Sequence, residues 1–99
     1  MDYPTLALAM LKANLGYYDS PIPEELEQSL EHKLIFSRQQ LLEHGITIDD
    51  SSINDCFLLA MYAEWVHRKG PEGAGKSEML KFVIQQRQLS QALAAGGAE

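Results

Sequence analysis

Residues 52–69 read SINDCFLLAMYAEWVHRK, and this stretch decides the fold. Its apolar residues fall on most sides of a helix, not on one stripe, and such a helix usually lies at the centre of a bundle. The acidic and hydroxyl residues just before it, from Asp49 to Ser52, are candidates for the N-terminal cap. The stretch therefore predicts a central helix with the rest of the chain packed around it.

Prolines and glycines mark out two helices before this one. The first is predicted from Pro4 to Leu15 and the second from Pro23 to His44, because proline suits the first turn of a helix. Each is followed by a glycine, Gly16 or Gly45, which can adopt the left-handed conformation that ends a helix. The second helix would be about 33 Å long. Its predicted buried stripe comprises Leu26, Leu30, Leu34, Ser37 and Leu41.

The remaining segments complete an all-α prediction. Residues 46–48 form a short extended link, residues 70–76 a glycine-rich loop, and Ser77 the cap of a fourth helix. We expect a small bundle of about four helices, with a long second helix, a central third helix and a partly independent C-terminal helix. A single helical domain covers residues 5–93, and residues 94–99 form a flexible tail.

Composition excludes several classes of protein. The chain has 99 residues, a formal charge of −6 and 45% apolar residues, which suits one small domain with one core. A single cysteine excludes a disulfide scaffold. The basic residues are scattered, which argues against nucleic-acid binding. The chain has no apolar run of membrane-spanning length and no basic N-terminal signal, so we expect a cytoplasmic protein that contacts no membrane.

Residues 70–77, GPEGAGKS, match the phosphate-loop pattern G-x-x-x-x-G-K-[ST]. In a true site Lys76 would reach the outer phosphates and Ser77 would hold magnesium. A phosphate loop follows a buried parallel strand, however, and the charged residues before Gly70 do not suit one. The chain is also too short for several strand–helix units. The sequence favours an interhelix loop with Ser77 as the helix cap.

No other residues combine into a reactive site. Cys56 and His67 are about 16 Å apart along one helix, too far for a nucleophile and its base, so Cys56 is predicted to be a buried structural thiol. The three histidines lack metal-ligand spacing, and the acidic stretch 49–54 lacks the glycine of a calcium loop. We expect no catalytic residues, no cofactor and no metal, and hence no enzyme.

The fourth helix is the least ordinary feature. Its second half, from Gln85 to Gln91, is mostly polar, with a thin apolar stripe continued by Leu89 and Leu93. It could be a frayed, solvated helix. It could also be a segment completed by a partner, through helix-in-groove or helix-on-helix packing. The sequence leaves both open.

The order of features resembles one family. Asn14-Leu15-Gly16 ends a short helix, Phe36-Ser37-Arg38 lies midway along the second, and Met61-Tyr62-Ala63-Glu64-Trp65-Val66-His67-Arg68 precedes a loop and a Met79-Leu80 helix with Gln86-Arg87. Over residues 5–93 this is similar to the small head–tail connector proteins of long-tailed bacteriophages, also called adaptor or head-completion proteins. That family often has Asn-Arg where Gln86-Arg87 stands here.

The resemblance implies a structural virion protein. It would form a ring, a dodecamer, beneath the portal protein in the phage neck after assembly in the host cytoplasm. The ring extends the DNA channel, passes DNA without specific binding, and joins a tail-side stopper or tail-completion protein. Together with the thin stripe, the resemblance predicts portal contacts at Met79, Phe82, Gln86, Arg87 and Leu89, and a flexible docking loop at Gly70, Gly73 and Gly75. The alternatives are a small acidic helical inhibitor of one host protein and a minimal nucleotide-binding protein using residues 70–77.

Overall fold

The computed structural model describes residues 4–17, 21–73 and 78–97, which form four helices. These are α1 (Thr5–Asn14), α2 (Glu24–Glu43), α3 (Ile53–Gly73) and α4 (Glu78–Gly97). Within those ranges no residue is in a strand, so the predicted all-α class is confirmed. The side chains of residues 69–73 and 94–97 are outside the description.

Two glycines end the first two helices, as predicted. Gly16 has φ of 90° and Gly45 has φ of 82°, both in the left-handed region that glycine adopts without a steric penalty. After α2, the backbone N–H of Gly45 donates to the Leu42 carbonyl at 2.9 Å, and that of Ile46 donates to the Leu41 carbonyl at 2.9 Å. This pair of bonds satisfies carbonyls that the helix end leaves open.

Helix α3 is central, as its apolar circumference predicts. Helices α1 and α2 both pack against it and also touch each other, whereas α4 packs against α3 alone among the described helices. The Cys56 thiol is buried in this core, and burial raises its pKa, which keeps it protonated. The largest fully buried apolar side chains are Leu11, Leu30, Leu34, Leu41, Ile46, Leu58, Leu59 and Leu80.

The link between α2 and α3, residues 44–52, is held by buried side chains and by hydrogen bonds. Ile46 and Ile48 point into the core while Thr47 is exposed, which matches the predicted alternation. The Ser52 hydroxyl accepts the backbone N–H of Asp55 at 3.2 Å, so Ser52 caps α3. The Ser51 hydroxyl and N–H donate to the Asp49 carboxylate and lower its pKa.

Helix α3 ends later than the sequence predicted. It continues through Gly73, so Gly70 and Gly73 have helical backbone and are not part of a loop. Gly75, Lys76 and Ser77 lie outside the described residues. Gly70, Pro71 and Gly73 all disfavour a helix, by about 1 kcal/mol for each glycine and about 3 kcal/mol for the proline, so local propensity predicts the earlier end.

Helix α4 is also longer than expected. It continues to Gly97, so the predicted flexible tail at residues 94–99 is helical as far as that residue. Alanine has the highest helix propensity, and the alanines before Gly96 favour this continuation. The last two residues lie outside the description.

Candidate protein-docking surface

A buried ion pair joins α4 to the start of α3. Asp55 is 3% exposed, and its carboxylate accepts the Arg87 Nε–H at 2.7 Å and an Arg87 Nη2–H at 3.1 Å. The same carboxylate accepts the backbone N–H of Asp49 at 2.8 Å, and Arg87 Nη2 also donates to the Thr47 carbonyl at 2.9 Å. The pair is two-pronged, and each partner makes a further hydrogen bond to the backbone of the link between α2 and α3. The hydrogen bond to Asp55 raises the pKa of Arg87, so the guanidinium stays charged.

Two glutamines extend this attachment along α4. Gln88 Nε2 donates to the His44 carbonyl at 2.8 Å. Gln91 Nε2 donates to the Gly45 carbonyl at 2.5 Å, and Gln91 Oε1 accepts the backbone N–H of Thr47 at 2.9 Å. Side chains of α4 thus satisfy backbone groups at the end of α2 and in the link. The polar second half of α4 is held against the body of the protein by hydrogen bonds in place of apolar packing.

The first half of α4 is attached by apolar contacts. Leu80 is 2% exposed and Ile84 is 6% exposed, and both belong to the core cluster, with Val83 packed partly against it. These residues lie on the same side of the helix as Arg87 and Gln91, since each residue advances about 100° around the axis. We call Leu80, Ile84, Arg87, Gln88 and Gln91 the inner face of α4.

The opposite side of α4 is apolar and uncovered. Met79 is 63% exposed, Phe82 57%, Leu89 54% and Leu93 65%, and Gln86 is exposed between them. The five positions are spaced by 3, 4, 3 and 4 residues, so they share an arc of about 80°. We call these five residues the outer stripe of α4. Scattered exposed apolar residues are ordinary, but a continuous stripe indicates an interaction surface.

A groove between α3 and α4 borders the outer stripe. It has a volume of about 420 Å³, and Phe57 of α3 and Phe82 of α4 both line it, with Asn54 and Gln86. Phe57 is 46% exposed, so one wall of the groove is itself an uncovered aromatic side chain. The groove therefore extends the apolar surface of α4 onto α3.

The structure separates the five predicted contact residues into two groups. Met79, Phe82, Gln86 and Leu89 lie together on the outer stripe. Arg87 does not, because its guanidinium lies on the inner face against Asp55. Arg87 attaches α4 to α3 and also lines the groove beside the outer stripe, so its role as a partner contact stays a prediction. Leu93 belongs to the outer stripe but was left out, although its spacing from Leu89 and Gln86 was readable.

The described residues contain no other constellation suited to chemistry. No group of three or more His, Cys, Asp or Glu side chains there could hold a metal ion. His67 Nδ1 lies 3.1 Å from Lys33 Nζ, beside an open groove between α2 and α3. Burial, and then the charge of Lys33, lower the pKa of His67. Of the phosphate-loop match, only its first four residues lie in the described part, and they are helical.

Comparison with protein-family models, with curated proteins and with solved structures finds no match to this chain. Among the described residues, no helix is both long enough and apolar enough to cross a membrane. The chain is thus a small helical protein in which the inner face of α4 is attached to the body and the outer stripe of α4 is uncovered.

Proposed function

We propose that this chain is a structural assembly protein that docks onto a larger protein through the outer stripe of α4. The observation that carries this proposal is the exposure of Met79, Phe82 and Leu89 on one side of a helix whose other side is fixed. Burying each of these side chains on a partner contributes about 1–2 kcal/mol. Such contributions favour a protein partner with an apolar groove over a small molecule.

The attachment of α4 supports this role, because it prepares the helix for docking. Arg87 holds the middle of α4 to Asp55, and Gln91 holds its second half to the link after α2. A docking helix that is already ordered loses less conformational entropy on binding than a disordered segment. The inner face thus contributes to affinity without touching the partner.

The finer proposal is a head–tail connector that forms a ring beneath a phage portal and places the protein in the virion neck. It rests on the resemblance over residues 5–93 and on the fit between the uncovered α4 and a helix used against the portal. The net charge of −6 agrees with a conduit that passes DNA without holding its phosphates. The helical body would supply contacts between subunits, and a stopper or tail-completion protein would bind on the tail side.

The test is co-sedimentation with the portal ring encoded in the same genome, with and without ATP. We expect about one copy per portal subunit, unaffected by ATP. Phe82→Asp and Leu89→Asp should abolish sedimentation while the far-ultraviolet circular dichroism stays helical. Leu6→Asp is the matched control, because Leu6 is an exposed apolar residue on α1, a helix that does not contact α4.

Three results would contradict the proposal. Binding that survives both α4 substitutions would move the docking surface elsewhere. A wild-type protein that remains a monomer and does not sediment would favour the small-inhibitor alternative. ATP-dependent binding lost in Lys76→Ala would support the nucleotide-binding alternative instead.

A further inference from the structure

The spacing of the outer stripe is that of a coiled-coil seam. Met79, Gln86 and Leu93 are seven residues apart, and Phe82 and Leu89 form a second series seven residues apart. Apolar positions alternating by three and four residues are those that two helices use to pack side by side. The stripe is about 21 Å long. Because its residues point away from the inner face, a second helix can approach without meeting the body of the protein.

The charge distribution permits a second copy as the partner. From Phe82 to Gly97 the only charged residue is Arg87, and it is bonded to Asp55, while the exposed Glu78 and Lys81 flank Met79 at the start of α4. Two copies that each carry a charge of −6 repel one another over most orientations. From Phe82 to Leu93 they can approach through α4 without placing like charges opposite each other, and the centres of protein interfaces are depleted of charge in the same way.

We propose that, in the absence of the larger partner, a second copy of this chain covers the outer stripe, with the two α4 helices side by side and Gln86 opposite Gln86. Gln86 sets this register. It lies at the middle of the stripe, so full overlap of the two helices places it opposite Gln86 of the second copy, where each amide can donate and accept a hydrogen bond. In an antiparallel pair shifted by about one turn it would face Phe82 or Leu89 and find no polar partner, which is unfavourable for a buried amide.

The self-pair is weak because its contact area is small. A stripe of this length covers on the order of 400 Å² per copy, whereas a stable protein interface buries about 800 Å² per partner. The self-pair therefore forms reversibly, and a larger partner can displace it. This inference rests on the proposed function, because the second copy occupies the surface that the larger partner would cover.

Sedimentation equilibrium over a range of concentrations tests the pairing. We expect the wild type to convert reversibly from monomer to dimer as its concentration is raised. Gln86→Glu, which is nearly isosteric, should raise the dimer dissociation constant at least tenfold by placing two carboxylates opposite each other. Gln39→Glu makes the same charge change at an exposed site within α2, a helix that does not pack against α4, and should leave the constant unchanged.

Cysteine cross-linking tests the register of the two helices. Gln86→Cys should form a disulfide-linked dimer on mild oxidation, because full overlap of the stripes brings the two copies of residue 86 together. Leu6→Cys, outside the stripe, is the control, and the native Cys56 is buried. A Gln86→Cys dimer no more abundant than the Leu6→Cys dimer would overturn the self-pair in this register.

The outcomes separate this inference from the proposed function. A wild type that stays monomeric at high concentration yet sediments with the portal ring would overturn the self-pair alone. Equal effects of Gln86→Glu and Gln39→Glu would also overturn it, because the effect would then come from net charge. A dimer that depends on Gln86, in a protein that never binds the portal, would support the self-pair and contradict the proposed function.

Discussion

The Arg87 guanidinium and the Asp55 carboxylate, separated by 32 residues in the chain, form a buried two-pronged ion pair at 2.7 and 3.1 Å. Together with the buried side chains of Leu80 and Ile84, this pair fixes which side of α4 faces the body of the protein. Arg87 and Gln91 lie inward, and Phe82 and Leu89 lie outward. The orientation of the proposed docking surface is thus decided by contacts on the opposite side of the helix.

We predict that Arg87→Ala destabilises the protein by about 2–3 kcal/mol, because it leaves the buried Asp55 carboxylate without its cation. The side chain of Arg87 is 22% exposed, so the effect lies below that of a fully buried pair. Urea unfolding gives the free energy, and hydrogen exchange shows whether the amides of α4 lose protection first.

Lys81→Ala is the control for this prediction. Lys81 lies 3.6 Å from Glu78 on the surface of the same helix, and such a pair contributes at most about 1 kcal/mol. If the two substitutions destabilise equally, the ion pair with Asp55 is not what attaches α4.

Truncating a side chain on the inner face of α4 should destabilise the protein, whereas truncating one on the outer stripe should have little effect. Ile84→Ala should cost about 2 kcal/mol, because Ile84 is 6% exposed and its loss leaves a cavity against α3. Leu89→Ala, on the outer stripe, should change stability by no more than about 0.5 kcal/mol. Both are measured by urea unfolding at protein concentrations low enough to keep the chain monomeric. A large loss in Leu89→Ala would mean that the outer stripe packs within the monomer.

Stability should fall as the pH is lowered through the titration of His67. Burial and the nearby Lys33 lower the pKa of His67 below its ordinary value of 6.5. The unfolded chain therefore binds more protons than the native protein in this range, and the free energy of unfolding decreases as the pH falls from 7 towards 5. The stabilisation is fully present above pH 6.5 and is lost as the pH passes below the native pKa.

Urea unfolding at a series of pH values measures this dependence, and two variants test its source. His67→Asn should reduce the change in the free energy of unfolding between pH 7 and 5. His32→Asn, at an exposed position on α2, should leave that change as it is in the wild type. A slope unchanged in His67→Asn would assign the pH dependence to another group.

Much of the fold was readable in the sequence because its causes are local. Gly16 and Gly45 end helices through their own backbone freedom, and Ser52 caps α3 through a bond to a residue three positions away. The apolar circumference of residues 52–69 predicted a central helix, since only neighbours on several sides can cover it. Four of the five predicted docking residues follow from helical spacing in the same way, and the role of that surface remains a proposal.

Tertiary structure decided the matters that depend on distant residues. The ion pair between Arg87 and Asp55 could not be predicted from the sequence, because an arginine on a polar helix is ordinarily solvated. Gln88 and Gln91 bond to backbone carbonyls and an N–H more than forty residues away, and any surface glutamine looks the same in sequence. The late end of α3 runs against local propensity, because Pro71 costs a helix about 3 kcal/mol and each glycine beside it about 1 kcal/mol. Local chemistry therefore determined the helices of this protein, and packing between helices determined which side of α4 is free to bind.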